Sequence, residues 1–219
     1  MPKATFYKIA EDKRERLVRE AARLFAERGF NQTDMAELAR RAGVAKGSIY
    51  NYFQNKEDLY IHVCRDGIER SRKAVYGEVD PSWDLFRQVE HIFRQGVRFV
   101  QTYPEYLILY DNISSAGMER FAEQMSLEVE KFTADYLKRL IHRDIRNGII
   151  RGDVDVNLSA FFINSLYIVF LTSLVSTHFK IRMREYLEIK GDIDAETIEK
   201  ELRSMTVMVD RLLRPVHKA

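Results

Sequence analysis

The scarcity of glycine and proline is the feature that most constrains the fold of this chain. Only 10 of its 219 residues are glycine and 4 are proline, about half the share of these two residues in average proteins. A fold built from many short strands needs many turns, whereas long helices need few. We therefore predict an all-α fold. Apolar residues at helical spacing, with matching end signals, divide the chain into about nine helices.

A compact pattern at residues 34–53 predicts a helix-turn-helix motif. Ala39 is small where a second helix has to lie against the first, and Gly43 can adopt the left-handed backbone of a short turn. Val44 and Ile49 supply apolar side chains for the core between the two helices. Short helical hairpins of other kinds share this spacing, so the exposed face has to distinguish between them.

Helix-capping residues flank the motif on both sides. Thr33 is predicted to cap the helix that precedes the turn. Asn55, followed three residues later by Asp58, has the pattern of a capping box. A further helix is therefore predicted to begin at Lys56 and to continue to about residue 79.

The outward face of the second helix of the motif carries residues that suit DNA. With Ile49 and Phe53 turned inward, small and amide-bearing side chains point outward and can approach base edges in a major groove. Lysines and tyrosine hydroxyls on either side can reach phosphates. Tyr50 and Tyr52 are equally compatible with ordinary packing. The outward-facing set is Lys46, Gly47, Ser48, Asn51 and Lys56, flanked by the two tyrosines.

Charge is unevenly distributed along the chain. Residues 1–56 carry 12 Lys and Arg against 7 Asp and Glu, whereas residues 57–219 carry 23 against 26. The formal net charge of +2 therefore hides a basic N-terminal part of +5 and a slightly acidic remainder of −3. Together with the helix-turn-helix pattern, this basic part favours DNA as a partner.

Several stretches carry a resemblance to a known family, namely residues 21–30, 33, 35–39, 42–44, 46–53 and 55–59. They resemble the N-terminal domain of the TetR family of bacterial transcriptional regulators, in a match without gaps over about residues 11–71. A later cluster of Gly148, Gly152 and Asp155 resembles the approach to the eighth helix of that family. The sequence between these regions is too variable in the family to be matched.

The resemblance implies an all-α homodimer that binds a palindromic, double-stranded DNA operator. Each subunit would have a DNA-binding domain, residues 1–55, and a helical ligand-binding and dimerisation domain, residues 56–219, with residues 56–79 as the connecting helix. Repression relieved by a ligand is the usual mode of action in the family. The DNA-contacting positions that the resemblance implies are Thr33, Lys46, Gly47, Ser48, Tyr50, Asn51, Tyr52 and Lys56, with Thr33 and Lys56 on phosphate. Ala45 replaces a hydroxyl residue that is frequent there, so one phosphate contact is expected to be missing.

A long uncharged segment characterises the second domain. Residues 156–179 contain no Asp, Glu, Lys or Arg and are long enough to span a bilayer. Nine of these 24 residues are polar, so we instead predict a helix that is buried in protein and pairs with the last helix across a dimer interface. The predicted interface residues are Phe161, Leu166, Phe170, Leu202, Met205 and Val209.

Aromatic residues between positions 83 and 170 allow two interpretations, a helical core or an apolar pocket for a small apolar or aromatic effector. The predicted pocket residues are Phe86, Phe93, Tyr103, Tyr106, Tyr110, Phe121, Asn164 and Tyr167. Residues 180–194 are charged and lack a continuous apolar face, which predicts a loop or a frayed helix extension.

Two other classes of protein are weaker alternatives. An enzyme is disfavoured because the sequence contains none of the motifs G-x-S-x-G, H-E-x-x-H, G-x-G-x-x-G or P-loop, and it shows no cofactor or metal-binding pattern. A helical adaptor or structural protein without DNA binding would leave residues 46–56 as a solvated turn. The single cysteine and the lack of an apolar run in residues 1–10 predict a cytoplasmic protein.

Overall fold

Residues 1–113 and 117–215 are described by the computed structural model, and in that part of the chain every regular element is a helix. The all-α prediction is therefore confirmed. A 3-10 turn at Phe6–Lys8 precedes the first four α-helices, α1 (Glu11–Gln32), α2 (Met35–Ala42), α3 (Lys46–Tyr52) and α4 (Lys56–Tyr76). The other six are α5 (Leu85–Thr102), α6 (Pro104–Ile113), α7 (Glu119–Arg146), α8 (Val156–Val175), α9 (Thr177–Tyr186) and α10 (Ala195–Leu213).

The helix that the sequence did not clearly predict is α9. Ser176 has an extended backbone (φ −90°, ψ 125°) and separates α9 from α8. Met183 is the buried residue of α9, and the helix packs against α8. A helix held by one buried side chain has no periodic apolar face, which explains why residues 180–194 looked like a loop or a frayed extension. Residues 187–194 are not helical.

The chain forms two compact units. The first comprises residues 1–70 and 103–125, and the second comprises residues 71–102 and the described residues from 126 onward. Along the chain, α4 and α7 each begin in the first unit and end in the second. The predicted functional domains, residues 1–55 and 56–219, stay a prediction, because compactness does not establish which residues suffice for DNA binding.

The first unit is built around α1, which packs against both α2 and α6, while α2 packs against α3. Its core contains the fully buried side chains of Leu24, Phe25, Leu38 and Phe53. These contacts fix the helix-turn-helix on the longer α1, so that the short α3 does not depend on its own helical propensity.

In the second unit, α5 packs against both α8 and α10. The side chain of Asp144 is completely buried, where it accepts hydrogen bonds from the first N–H of α5, at Leu85 (2.6 Å), and from the guanidinium of Arg143 (2.7 Å). Arg94 on α5 forms an ion pair with Glu199 on α10. The guanidinium groups of Arg94 and Arg203 together lower the pKa of the Glu199 carboxyl to about 2.

Helix α8 is long and apolar enough to cross a membrane, the one such helix among the residues that the structure describes. Its most apolar stretch has a mean hydropathy of 1.9, but only 33% of that stretch is buried. Asp155 caps the helix, as its position in the sequence suggests, by accepting the N–H of Leu158 at 2.9 Å. Because two thirds of this stretch is not buried, the prediction that α8 is buried in protein is not met by contacts within the chain itself.

Candidate nucleic-acid interface

The turn between α2 and α3 has the geometry that the sequence predicted. Gly43 has a left-handed backbone (φ +67°, ψ 37°), which favours glycine. Its N–H donates to the carbonyl of Arg40 at 3.2 Å, and the N–H of Val44 donates to that of Ala39 at 2.9 Å. The two helices are thus joined by three residues, as in a helix-turn-helix.

The cap of α2 is Asp34, so the prediction that Thr33 fills this role was wrong. The carboxylate of Asp34 accepts the N–H groups of Ala36 (2.5 Å) and Glu37 (3.3 Å), and these bonds lower its pKa. Thr33 instead ends α1, where its hydroxyl donates to the carbonyl of Gly29 at 2.7 Å. Because its side chain is buried, Thr33 does not present its hydroxyl to a phosphate in this conformation.

The two faces of α3 differ as the sequence predicted. Ile49 and Phe53 are fully buried. Lys46, Gly47 and Asn51 are exposed, and Ser48 is half-buried. The outward face of α3 therefore consists of one cation and several small or amide side chains, which suits close approach to base edges.

The two tyrosines of α3 have different environments. The sequence was equally compatible with packing and with DNA contact for both of them. Tyr50 is 40% exposed and belongs to the outward face, whereas Tyr52 is only 8% exposed. The ring of Tyr52 lies 6.1 Å from that of Phe6, centroid to centroid. Tyr52 is a packing residue in this conformation, and its predicted contact with DNA is not supported by its burial.

Lys56, the first residue of α4, is tied to the end of α1. Its ammonium donates to the carbonyls of Thr33 (2.7 Å) and Asn31 (3.1 Å) and lies 5.0 Å from the ring centroid of Phe30. Partial burial lowers the pKa of Lys56, an effect that the charge of Asp34 opposes. The sequence alone did not indicate this structural role, because the acceptors are backbone carbonyls more than twenty residues away.

Asn55 caps α4 as predicted, by accepting the N–H of Asp58 at 2.8 Å.

This part of the chain matches a family of known proteins. Residues 17–63 match the model of the bacterial regulatory proteins of the tetR family, and these residues contain the turn, the caps and the outward face described above. Residues 17–63 therefore form a DNA-binding domain of the TetR family. The chain that carries this domain is a DNA-binding transcriptional regulator.

Relatives of this regulator match it well beyond the helix-turn-helix. It is 25% identical to the HTH-type transcriptional repressor KstR2 of Mycolicibacterium smegmatis over 155 residues, which are 69% of this chain and 74% of the relative. A TetR-family regulator structure from Chloroflexus aurantiacus has a TM-score of 0.74 at 23% identity and covers 99% of this chain and 100% of its own. The structure of AibR in complex with isovaleryl coenzyme A and operator DNA has a TM-score of 0.66 at 20% identity, covering 90% and 97%. The two structural likenesses establish a shared fold.

The predicted effector residues of the regulator are divided between its two compact units. Those in the first unit are Tyr103, Tyr106, Tyr110 and Phe121, and those in the second are Phe86, Phe93, Asn164 and Tyr167. Phe86 lines an open groove of about 690 Å³ between α5 and α10 that contains none of the other seven. Charged side chains dominate this groove, including Asp84, Arg87 and Asp210, so it does not suit an apolar effector.

Gly67 and Gly96, which the sequence did not single out, leave room for the side chains of two predicted effector residues, Tyr106 and Tyr167. In the second unit, the rings of Phe93 and Tyr167 lie 5.1 Å apart, and a Cβ at Gly96 would collide with the Tyr167 hydroxyl. In the first unit, the ring of Tyr106 occupies the space of a Cβ at Gly67, and its hydroxyl donates to Asp66. Burial and the neighbouring carboxylate raise the pKa of Tyr106.

The predicted dimer-interface residues also separate into two groups. Phe170, Leu202 and Val209 are buried inside the chain, so they are not available to a partner in this conformation. Leu166 and Met205 are half-buried, and Phe161 is 71% exposed. Further exposed apolar residues on the same two helices are Leu158, Phe162 and Val169 on α8, and Val207, Met208 and Leu212 on α10.

Proposed function

We propose that this TetR-family regulator is a homodimeric, cytoplasmic repressor that a small effector releases from a palindromic operator. The observation that carries its DNA-binding part is the exposed face of α3, which combines one lysine, one tyrosine and several small or amide side chains and lies in the basic N-terminal part of the chain, residues 1–56. Lys46, Ser48 and Asn51 are the proposed base-reading residues, and Tyr50 is a proposed phosphate contact. Gly47 allows the backbone of α3 to approach the DNA closely.

The dimer proposal is supported by an apolar stripe on α8. Phe161 and Phe162 lie three and four residues after Leu158, and Val169 lies seven residues after Phe162, which places all four on one side of the helix. All four are exposed. An exposed apolar surface of this kind marks an interaction site.

A matching stripe on α10 supports the same proposal. Met205, Met208 and Leu212 recur at intervals of three and four residues, and the last two are exposed. In a dimer with twofold symmetry, the α8 and α10 stripes of both subunits would form one four-helix interface. A lipid bilayer is the less suitable partner for α8, because it would also have to accommodate Asn157, Asn164 and several hydroxyl residues of that helix.

The proposed effector is apolar or aromatic, and an acyl thioester is the first class to test. AibR, which shares the fold, is described in complex with isovaleryl coenzyme A and operator DNA. In the present chain, the aromatic pair Phe93 and Tyr167 and the amide of Asn164 lie in the second compact unit. They combine apolar surface with a few polar groups, as ligand sites usually do.

Mutual coupling between effector and operator tests the regulatory part of the proposal. An effector that releases the protein from DNA must bind the DNA-free form more tightly, and the same factor must appear in both affinities. We expect isovaleryl coenzyme A or a longer acyl analogue to weaken operator binding by about 5- to 150-fold. Operator DNA should weaken binding of the same thioester by an equal factor, measured by calorimetry, with free coenzyme A as the control. Acyl thioesters that bind without changing operator affinity would contradict this mechanism.

Replacing Lys56 with alanine tests the proposed phosphate contact. The ammonium donates to two carbonyls, and its third N–H can point to a phosphate. We expect Lys56→Ala to weaken binding to all DNA sequences and to lower the slope of log affinity against log salt by about one unit. Lys56→Arg, which keeps the charge, should retain the slope in fluorescence anisotropy titrations. If the alanine variant binds less tightly but keeps the wild-type slope, Lys56 acts only through the end of α1.

A further inference from the structure

The carboxyl end of α3, which in the proposed function is the recognition helix that reads DNA, is capped by the N-terminal segment, residues 3–9. The last four carbonyls of a helix have no partner in the next turn unless another group supplies one. In α3, the first of these carbonyls, at Ile49, accepts the N–H of Phe53 at 2.8 Å. The three that follow are those of Tyr50, Asn51 and Tyr52, and each accepts a hydrogen bond from the N-terminal segment.

Two residues supply these three donors. The backbone N–H of Lys3 donates to the Tyr52 carbonyl at 2.7 Å, and its ammonium donates to the Tyr50 carbonyl at 2.8 Å. The hydroxyl of Thr5 donates to the Asn51 carbonyl. A cation at the carboxyl end of a helix also interacts favourably with the helix dipole. The segment therefore satisfies all the remaining backbone acceptors of α3.

An aromatic anchor holds the segment in this place. Phe6 is 2% exposed, and its ring lies 5.0 Å from that of Phe53 and 5.2 Å from that of His62, centroid to centroid. Burial lowers the pKa of His62. On the other side, the guanidinium of Arg14 donates to the carbonyls of Tyr7 (3.3 Å) and Ile9 (3.4 Å). The capping contacts thus belong to a segment that is also fixed in its middle, by Phe6, and at its carboxyl end, by Arg14.

We propose that residues 3–9 position the recognition helix for sequence-specific reading of DNA, with Thr5 and Lys3 as positioning residues. This inference rests on the proposed function of α3. With seven residues, α3 has about two turns, so its orientation depends on its attachments rather than on its own stability. Tyr50 and Asn51, whose carbonyls are held by the segment, also carry side chains of the outward face. A shift at this end of α3 would move those side chains relative to the base edges.

Substitutions at Thr5 separate positioning from folding. Thr5 is exposed, so Thr5→Val removes the hydroxyl without opening a cavity, and Thr5→Ser keeps the hydroxyl. The probes are a duplex that the wild-type protein selects from a random library and a duplex of equal length with scrambled half-sites. We expect Thr5→Val to bind the selected duplex about three- to tenfold more weakly, to bind the scrambled duplex as the wild type does, and to keep its melting temperature. Thr5→Ser should restore the selected affinity.

The outcomes separate this inference from the function on which it rests. If the wild-type protein selects no duplex, the proposed function itself is wrong. If the wild type selects a duplex that Thr5→Val binds equally well, or if Thr5→Val loses the same factor on both duplexes, the segment does not position α3. Phe6→Ala provides a second arm, in which the ratio of selected to scrambled affinity should fall while circular dichroism stays helical. An unchanged ratio in that variant would also overturn the inference.

Discussion

Replacing Gly47 with alanine is expected to stabilise the protein while weakening its operator binding at least tenfold. Gly47 lies in the first turn of α3 with an ordinary helical backbone, and no atom lies within 4 Å of the position that a Cβ would take. Alanine is favoured over glycine in helices by up to about 1 kcal/mol, so the melting temperature should rise or stay the same. The added methyl would occupy the space between the backbone of α3 and the DNA that is proposed to lie against it.

Opposite signs of the two effects make Gly47→Ala informative. Thermal unfolding reports the first effect, and fluorescence anisotropy with the selected duplex reports the second. Gly152→Ala is the matched control, because Gly152 also has open space around its Cβ position and no left-handed backbone, but it lies outside the helix-turn-helix. We expect Gly152→Ala to bind DNA like the wild type. Wild-type affinity in Gly47→Ala would show that DNA does not approach this turn of α3.

Replacing Phe161 with aspartate is expected to convert the dimer into monomers and to weaken operator binding at least a hundredfold. Phe161 is 71% exposed and belongs to the α8 stripe. Twofold symmetry would place two such carboxylates in one apolar interface. Burying unpaired like charges costs several kcal/mol, and each monomer would retain the contacts of one half-site only.

Leu127→Asp is the matched control for this substitution. Leu127 is similarly exposed, at 65%, but lies on α7, outside the two proposed stripes. Sedimentation velocity at micromolar protein should give monomers for Phe161→Asp and dimers for the wild type and Leu127→Asp. Dimers of unchanged stability in the Phe161→Asp variant would exclude the α8 stripe from the subunit interface.

The helix-turn-helix could be predicted from the sequence because its determinants are local. The turn glycine, the small Ala39 and the buried Ile49 lie within eleven residues of one another. The cap of α2 was predicted one residue too early, since Thr33 and Asp34 are both capping residue types. The burial of Thr33 depends on the end of α1, which a capping pattern does not report.

Features that depend on distant parts of the chain could not be predicted. Tyr52 packs near Phe6, and the carboxyl end of α3 is capped by Lys3 and Thr5, all of them more than forty residues away along the chain. On α8, helical periodicity identified an apolar helix but did not indicate which side faces the chain's own core. For this reason Phe170 was predicted as an interface residue although it is buried within the subunit.

Selection of binding sites from a random duplex library by the full-length wild-type protein tests the central claim most directly. Two copies of α3 related by twofold symmetry must read two inverted half-sites, with the recognition helices about 34 Å apart in adjacent major grooves. We therefore predict enrichment of a palindrome whose half-sites are separated by about one helical turn or a multiple of it. Failure to enrich any sequence, or enrichment of a single site without inverted symmetry, would contradict the account.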